Sequence, residues 1–159
     1  MNNNQKLPLR LGVGIALLNN KKKVFVGKRI DNPATEHWQM PQGGIEENED
    51  LLKAAKRELE EETGIAKVEL IKEINEWLTY NLPKNLISKI WEGKYRGQKQ
   101  KWFIMKFLGS NNEINVKTKN PEFLDWKWIA PSELLNVAVN FKVDIYKKIK
   151  EQLTSLSLN

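Results

Sequence analysis

One helix is marked at both ends in this sequence, and it constrains the fold more than any other feature. The segment from Glu49 to Thr63 consists largely of strong helix formers, Asn48 precedes it as an N-cap, and acidic residues open its first turn. Gly64 follows at the position where many helices end in a left-handed residue. The sequence therefore predicts a helix over residues 49–63, which fixes the positions of its charged residues.

Strands and a second helix are predicted on either side of this helix. Apolar residues alternate with small or polar ones in several segments, which is the period of a strand. The predicted strands are a hairpin of 11–17 with 24–26, followed by 68–74, 102–108 and 126–129. A four-residue spacing predicts an amphipathic C-terminal helix from Phe141, Ile145, Ile149 and Leu153. Residues 30–44 are predicted to be mostly loop, and the irregular order of elements indicates a mixed α/β fold.

Composition limits what kind of protein the chain can be. Its 159 residues are 40% hydrophobic, enough for one domain that buries roughly 70% of its unfolded surface. With no cysteine and one histidine, it cannot form disulfides, thiolate zinc sites or histidine clusters. The apolar stretch 11–18 is too short to cross a membrane. We expect a single cytoplasmic domain over residues 1–159, with flexible ends at 1–7 and 154–159 and no membrane partner.

Three glutamates of the predicted helix share one of its faces. Glu58, Glu61 and Glu62 stand at positions i, i+3 and i+4. An acid in the last turn of a helix is unfavourable by roughly 0.3 to 1 kcal/mol, because the helix dipole is negative there. Mg²⁺ or Mn²⁺ reverses this balance, since carboxylate oxygens are preferred ligands and phosphate oxygens commonly complete the shell. The pattern favours a metal site over the alternative, a solvated acidic face.

The net charge of +6 is unevenly distributed along the chain. Residues 46–62 hold eight acids and three bases, so this segment carries −5 and the remainder +11. A positively charged domain attracts polyanions, and both polyphosphates and nucleic acid are candidates. The acidic segment therefore suits divalent cations, and the rest of the chain suits an acidic partner.

The residues around the three glutamates resemble a known signature. Gly43, five residues, Glu49, seven residues and then the run RELEEETGI over 57–65 match the complete Nudix box, including Gly64. The resemblance implies an α/β/α sandwich with a mixed sheet. It also implies Mg²⁺-dependent cleavage of a nucleoside diphosphate linked to another group.

The same resemblance implies roles for the box residues. Glu58, Glu61 and Glu62 hold the ions, and Glu58, Glu61 and Arg57 form the catalytic set. Arg57 pairs with Glu49 and faces away from the ions. Gly43 has no side chain to block the approach of its backbone to a metal. The general base stays open between a box glutamate and an acid on a later loop.

Segments outside the box resemble one branch of the Nudix family, the bacterial RNA pyrophosphohydrolases and asymmetric dinucleoside tetraphosphate hydrolases. The matching runs are WQMPQGGI (38–45), EWLTYNLP (76–83), GQKQKWF (97–103), PEF (121–123) and FK (141–142). The resemblance extends from about Arg10 to about Lys148. It implies removal of pyrophosphate from 5′-triphosphorylated RNA, asymmetric cleavage of dinucleoside tetraphosphates such as diadenosine tetraphosphate, or both.

The branch also implies site residues outside the box. Glu122 becomes a fourth acidic metal ligand. The implied substrate-binding residues are Arg10, Arg29, Trp38, Tyr80, Lys99, Lys101, Phe141 and Lys142. Their types suit stacking on a nucleobase and salt-sensitive contacts with phosphates at the entrance. Other interpretations stay open, because Tyr80 and Phe141 can be core aromatics, and Lys99 and Lys101 ordinary exposed strand positions.

Three functions are compatible with the sequence. The first is a metal-dependent pyrophosphohydrolase that acts on nucleoside polyphosphates or RNA 5′ ends. The alternatives are a non-catalytic nucleotide or RNA sensor on the same fold, and a basic RNA-binding scaffold with an incidental acidic helix. All box acids are present, which disfavours the sensor. Residues 31–35 resemble a small insertion near the substrate entrance, and the oligomeric state is left open.

Overall fold

The computed structural model describes residues 7–31 and 36–157. Its strands are β1 (Leu9–Leu18), β2 (Val24–Arg29), β3 (Gln42–Gly44), β4 (Val68–Glu73), β5 (Leu78–Asn81), β6 (Gly97–Phe107) and β7 (Phe123–Ile129). The α-helices are α1 (Leu51–Thr63), α2 (Lys84–Ile87), α3 (Leu134–Val137) and α4 (Val143–Ser157). Short 3₁₀ turns lie at Trp91–Gly93, Asn111–Glu113, Pro131–Glu133 and Asn140–Lys142. No helix in these ranges combines the length and apolarity needed to span a membrane.

All seven strands join one mixed sheet, whose main path runs β4-β6-β1-β2-β7. β1 and β6 are parallel, from Leu9 opposite Gly97 to Leu18 opposite Lys106, and the other pairs are antiparallel. β3 and β5 pair with the N-terminal halves of β1 and β6, whereas β2 and β4 pair with their C-terminal ends. The order β3-β1-β6-β5 therefore forms one end of the sheet, and this end carries the candidate site.

Helices cover both faces of the sheet. Successive strand residues point to opposite faces, so Trp102 and Phe103 belong to two different apolar clusters. α1 joins the cluster that contains Phe103, through Ala54, Ala55 and Leu59. α4 joins the cluster that contains Trp102, through Ile145, Ile149 and Leu153, each nearly inaccessible to solvent. Burying side chains of this size stabilises the fold by about 1.5–3 kcal/mol each. The predicted α/β/α sandwich is confirmed.

α1 begins later than the sequence predicted. Asp50 and not Asn48 is the N-cap, and its side chain accepts a hydrogen bond from the backbone N–H of Lys53 at 3.1 Å. Asn48 has a φ of 62°, a left-handed conformation that Asn tolerates better than most residues, and it turns the chain ahead of the helix. Glu49 consequently lies before α1, whose first turn contains no acid. The predicted end is confirmed, since Gly64 is left-handed with a φ of 72°.

Other boundaries differ from the sequence prediction. The predicted loop 30–44 contains β3, whose three residues and two glycines are too few to show a strand period. Phe141 lies in the 3₁₀ turn before α4 and not within that helix. α4 continues to Ser157, into the segment 154–159 predicted as a flexible tail. Within the predicted insertion 31–35, residues 32–35 lie outside the described part of the chain.

Candidate active site

A cavity of about 690 Å³ opens at the end of the sheet formed by β3, β1, β6 and β5. Side chains of β2, α1 and the turn before α4 complete its walls. The predicted site residues that line it are Arg10, Arg29, Trp38, Gly43, Glu58, Glu62, Tyr80, Glu122, Phe141 and Lys142. The fold thus gathers most of the residues singled out from sequence around one space.

The acids on α1 place negative charge in the buried part of this cavity. Glu62 is 4% exposed, and its Oε2 has no hydrogen-bond partner within the described part of the chain. Burial raises its pKa well above the ordinary value, and the charges of Glu58 and Glu122 raise it further. Burial also raises the pKa of Glu58. These carboxylates therefore repel one another, which disfavours their charged forms.

This donor set fits a hard divalent cation. An unpartnered buried carboxylate oxygen is unfavourable, and oxygen donors are what Mg²⁺ and Mn²⁺ prefer. Among the described residues, no three Asp, Glu, His or Cys side chains stand close enough together to enclose one ion. Glu58 and Glu62 would therefore share an ion with other oxygen donors, such as those of a phosphate.

Gly43 makes room for the Glu58 carboxylate. A Cβ atom at position 43 would lie 2.0 Å from Cδ and 2.1 Å from Oε2 of Glu58. Real Cβ atoms do not approach so closely, and any side chain here would displace the acid. The missing side chain thus admits Glu58, and the approach of the Gly43 backbone to a metal stays a prediction.

Arg57 forms hydrogen bonds with several residues of the Nudix-box segment. Its Nε and Nη2 donate to the two carboxylate oxygens of Glu49 at 2.7 and 2.8 Å, which confirms the predicted pair, and Nη2 also donates to the carbonyl of Gly44 at 3.0 Å. The bond from Arg57 lowers the pKa of Glu49 to about 2. The prediction that Arg57 faces away from the metal acids is wrong. Its Nη1 donates to Glu58 at 3.0 Å and to Glu61 at 3.3 Å, because the planar fork reaches both sides of α1.

Three other predicted residues lie outside the cavity lining. The Glu61 side chain is 58% exposed on α1, where Arg57 holds it. Lys99 and Lys101 were predicted at the entrance, but alternation along β6 sends them to the face opposite Gln98, which lines the cavity. Their ammonium groups lie 5.4 and 5.8 Å from the centre of the Trp77 ring. Both lysines are strand positions away from the cavity, but they are not the exposed positions of the alternative interpretation, because Lys101 is 8% exposed and Lys99 is half-buried.

Two arginines bring positive charge to the cavity. The Arg29 guanidinium is held by Asp31, with hydrogen bonds of 2.8 and 2.6 Å, and this contact raises its pKa. Arg10 extends from β1 and lies 5.3 Å from the centre of the Trp91 ring. Both side chains are thus held in defined positions around the space available to a polyanion.

Lys142 was predicted at the rim, yet it lies buried in the wall. It is 5% exposed and its Nζ donates to Oε1 of Gln39 at 3.3 Å. Burial lowers its pKa to about 7, and the charge of Arg29 acts in the same direction. The ammonium group is therefore costly in the free protein, and a bound anion would stabilise it.

Aromatic side chains complete the cavity. Tyr80 is 6% exposed and its ring centre lies 5.6 Å from that of Phe141, so it is both a core residue and a cavity residue. Phe141 and Trp38 are half-buried. The Lys127 ammonium lies 4.3 Å from the centre of the Trp38 ring. Of these three predicted aromatic residues, the two half-buried rings can offer surface to a nucleobase.

A row of amides lies beside Tyr80 and was not predicted from the sequence. Gln100 Nε2 donates to Gln98 Oε1 at 2.8 Å and to Gln42 Oε1 at 3.0 Å, and Tyr80 Oη donates to Gln98 Oε1 at 3.0 Å. At the core end, Trp102 Nε1 donates to Gln100 Oε1 at 3.0 Å. The available signal was the pair of identical amide residues Gln98 and Gln100, which stand two positions apart in a strand and therefore share a face.

Known proteins match this chain over nearly its whole length. The family model described as NUDIX domain matches residues 8–151. A Pelagibacter ubique (strain HTCC1062) protein named RNA pyrophosphohydrolase is 58% identical over 154 residues, covering 97% of each chain. A protein of the same name from Dinoroseobacter shibae is 48% identical over 145 residues, covering 90% of each. The E. coli dihydroneopterin triphosphate pyrophosphohydrolase structure shares the fold with a TM-score of 0.71 at 19% identity, covering 91% of this chain and 99% of that one. The chain therefore belongs to the Nudix hydrolase family.

Proposed function

We propose that this Nudix pyrophosphohydrolase removes pyrophosphate from the 5′ end of triphosphorylated RNA, and that the same site cleaves dinucleoside tetraphosphates asymmetrically. The observation that carries the proposal is one cavity that combines the half-buried Glu58 and the buried Glu62 of α1 with cationic and aromatic side chains. Relatives at 48–58% identity named RNA pyrophosphohydrolase support the RNA substrate. One site can take both substrates because each presents a nucleoside that carries a polyphosphate.

The proposed cofactor is Mg²⁺ or Mn²⁺. Glu58 and Glu62 would hold it with oxygen atoms from Glu61, Glu122, the Gly43 backbone or the substrate. When bound, such an ion neutralises the charge of the polyphosphate and polarises a water molecule for attack on phosphorus. The unpartnered Oε2 of Glu62 supports this assignment.

The protein's own side chains have separate proposed roles in orienting the acids and binding the substrate. Arg57 orients Glu58 and Glu61 through its guanidinium and contacts no cavity space itself. Arg10, Arg29 and Lys142 bind phosphate oxygens. The general base is left open between a box glutamate and an acid on a later loop, because an ion held by Glu58 and Glu62 would lower the pKa values of both carboxyl groups.

The nucleoside is proposed to stack on the half-buried rings of Phe141 and Trp38. Stacking is tolerant of base identity, so this arrangement suits an enzyme that accepts RNA ends of different sequence. The proposed location is the cytoplasm, which suits a chain without cysteine.

The proposal is tested by measuring kcat/KM with Mg²⁺ on a 5′-triphosphorylated RNA and on diadenosine tetraphosphate. We expect pyrophosphate release from the RNA, with a loss of about 100-fold or more in Glu58→Gln and Glu62→Gln. Glu60→Gln is the matched control, because Glu60 is exposed on the same helix and does not line the cavity.

Three results would contradict parts of the proposal. RNA activity equal to a no-enzyme control, with dinucleotide cleavage intact, would remove the RNA substrate. Full Mg²⁺-dependent turnover by Glu62→Gln, or by Glu61→Gln, would remove that residue from the site. Salt-sensitive RNA binding without any phosphate release would favour a binding module on the Nudix fold.

A further inference from the structure

A chain of hydrogen bonds leads from the core of the protein to the floor of the cavity. It begins at the indole Nε1 of Trp102, which is fully buried, and passes through Gln100 to Gln98. Gln100 is also fully buried, and Gln98 is 1% exposed but lines the cavity. The three residues alternate along β6, so their side chains share one face of the sheet.

The indole group fixes the direction of every amide in this chain. An indole nitrogen can only donate, so the atom of Gln100 that faces Trp102 must be the oxygen. The nitrogen of Gln100 must then face away, and it donates to the oxygens of Gln98 and Gln42. Because Gln98 uses its oxygen for this bond and for the bond from Tyr80, only its nitrogen is left.

The nitrogen of Gln98 has no hydrogen-bond partner among the described residues. It lies over Gly12, where a Cβ atom would approach it to 2.3 Å, so the glycine at this position leaves space for the amide. Buried donors are almost always paired in native proteins, and a donor left unpaired beside a cavity indicates an acceptor in the ligand.

The surroundings indicate an anionic acceptor. Arg10 pairs with Gln98 in the parallel register of β1 and β6, and neighbours in register share a face. Both residues line the cavity. A guanidinium next to an amide N–H suits the oxygen of a phosphate better than a neutral base edge.

We propose that Trp102 is a positioning residue for substrate binding, which acts through Gln100 to make Gln98 present an N–H donor to a phosphate oxygen of the substrate. The inference rests on the proposed function for the identity of the ligand as a polyphosphate. Without the indole N–H, the Gln100 amide loses the partner that sets its direction. Gln98 can then turn its oxygen toward the phosphate, and the interaction becomes repulsive.

Two variants break the chain at different points. Trp102→Phe removes the N–H but also removes volume from the core, so it is paired with Gln100→Glu, which keeps the shape. A carboxylate at position 100 accepts from the indole but cannot donate to Gln98, and therefore draws the nitrogen of Gln98 away from the cavity. Trp128→Phe is the matched control, because the Trp128 indole donates to Asn111 at 3.0 Å and does not line the cavity.

Each variant is made in the wild type and in Gln98→Met, which has no amide to orient. The readouts are KM and kcat on diadenosine tetraphosphate, and the Kd of a non-hydrolysable nucleoside tetraphosphate by calorimetry. We expect Trp102→Phe, Gln100→Glu and Gln98→Met each to raise KM and Kd about tenfold or more, with kcat nearly unchanged. In the Gln98→Met background, Trp102→Phe should have little further effect, and Gln100→Glu should retain only the effect of its added charge.

The proposal is overturned if Trp102→Phe and Gln100→Glu leave Kd unchanged while folding normally. It is also overturned if their effects are the same with and without Gln98, since they would then act independently of that amide. If the wild-type protein binds the analogue but cleaves neither substrate, the proposed function is refuted. The Kd values of the single and double variants still test the role of Trp102 in that case. A wild type that binds no nucleoside tetraphosphate overturns both.

Discussion

Replacing Lys142 with methionine is expected to stabilise the free protein and weaken its binding of polyphosphates. Lys142 is 5% exposed, and burial lowers its pKa from 10.5 to about 7. A displacement of this size corresponds to roughly 5 kcal/mol of free energy that disfavours the ammonium form in the folded protein. Methionine has a similar length and no charge to bury, so part of this free energy is recovered.

The effect must depend on pH in one direction. Below about pH 7 the folded protein holds Lys142 charged, and the full cost of burying the charge applies. Between about pH 7 and 10.5 the unfolded chain keeps the proton but the folded protein does not, so the cost declines and stability rises with pH. We therefore expect Lys142→Met to be more stable than wild type by about 1–4 kcal/mol at pH 6, and by less at pH 9.

Urea unfolding of both proteins at the two pH values measures this difference, and comparing them at each pH largely cancels other titrating groups. Lys147→Met is the control, because Lys147 is exposed on α4 and should show the same small effect at both pH values. At pH 6 the variant should bind a non-hydrolysable nucleoside tetraphosphate about tenfold more weakly. An equal stability gain at pH 6 and pH 9 would refute the reasoning, because Lys142 would then titrate like an exposed lysine.

Four further predictions concern the acids and the charge of the surface. Glu62→Gln removes a buried charge, so the melting temperature of this variant without metal should be higher than that of wild type. Mg²⁺ at 100 times its Kd should stabilise wild type by about 2.7 kcal/mol in thermal unfolding and the variant by less. An equal response of the two proteins to Mg²⁺ would exclude Glu62 as a ligand. Gly43→Ala places a Cβ atom 2.0 Å from Cδ of Glu58 and should lower kcat/KM about 100-fold, and an unchanged value would show that Glu58 can move freely. Arg57 lowers the pKa of Glu49 to about 2, so this pair stabilises the fold above about pH 4.5 and loses that effect as the pH falls toward 2. In Glu49→Gln, the free energy of unfolding should therefore depend less on pH in this range. Raising salt from about 50 to 200 mM should weaken RNA substrates more than dinucleotides, and an equal response would mean that the basic surface only aids solubility.

Local signals in the sequence were sufficient to predict the framework of the site. The end of α1 at Gly64 followed from a capping rule, and the placement of Glu58 and Glu62 on one face followed from the helical period. The strand period likewise predicted the β1–β2 hairpin. Each of these features depends on residues within a few positions of one another, and such features can therefore be predicted from one sequence alone.

Features that depend on distant contacts were missed or misplaced. Lys99 and Lys101 were assigned to the cavity although Gln98 lies there, since a shift of one residue along a strand reverses the face. Without a register between β1 and β6 the sequence could not decide between them. The burial of Lys142 depends on how the turn before α4 packs against the sheet, and no local pattern encodes it.

The parallel pairing of β1 with β6 governs when the cavity can exist during folding. Leu9 must pair with Gly97, and the cavity wall is complete only when the segment around Lys142 has packed against the sheet. The contacts that form the site therefore join residues far apart in sequence, which gives the site a high contact order. Closing such long loops is slow and entropically costly, whereas α1 needs only neighbouring residues. A nascent chain that has already exposed its complete acidic helix therefore still lacks the proposed polyphosphate site, and we expect binding only once synthesis has passed the beginning of α4.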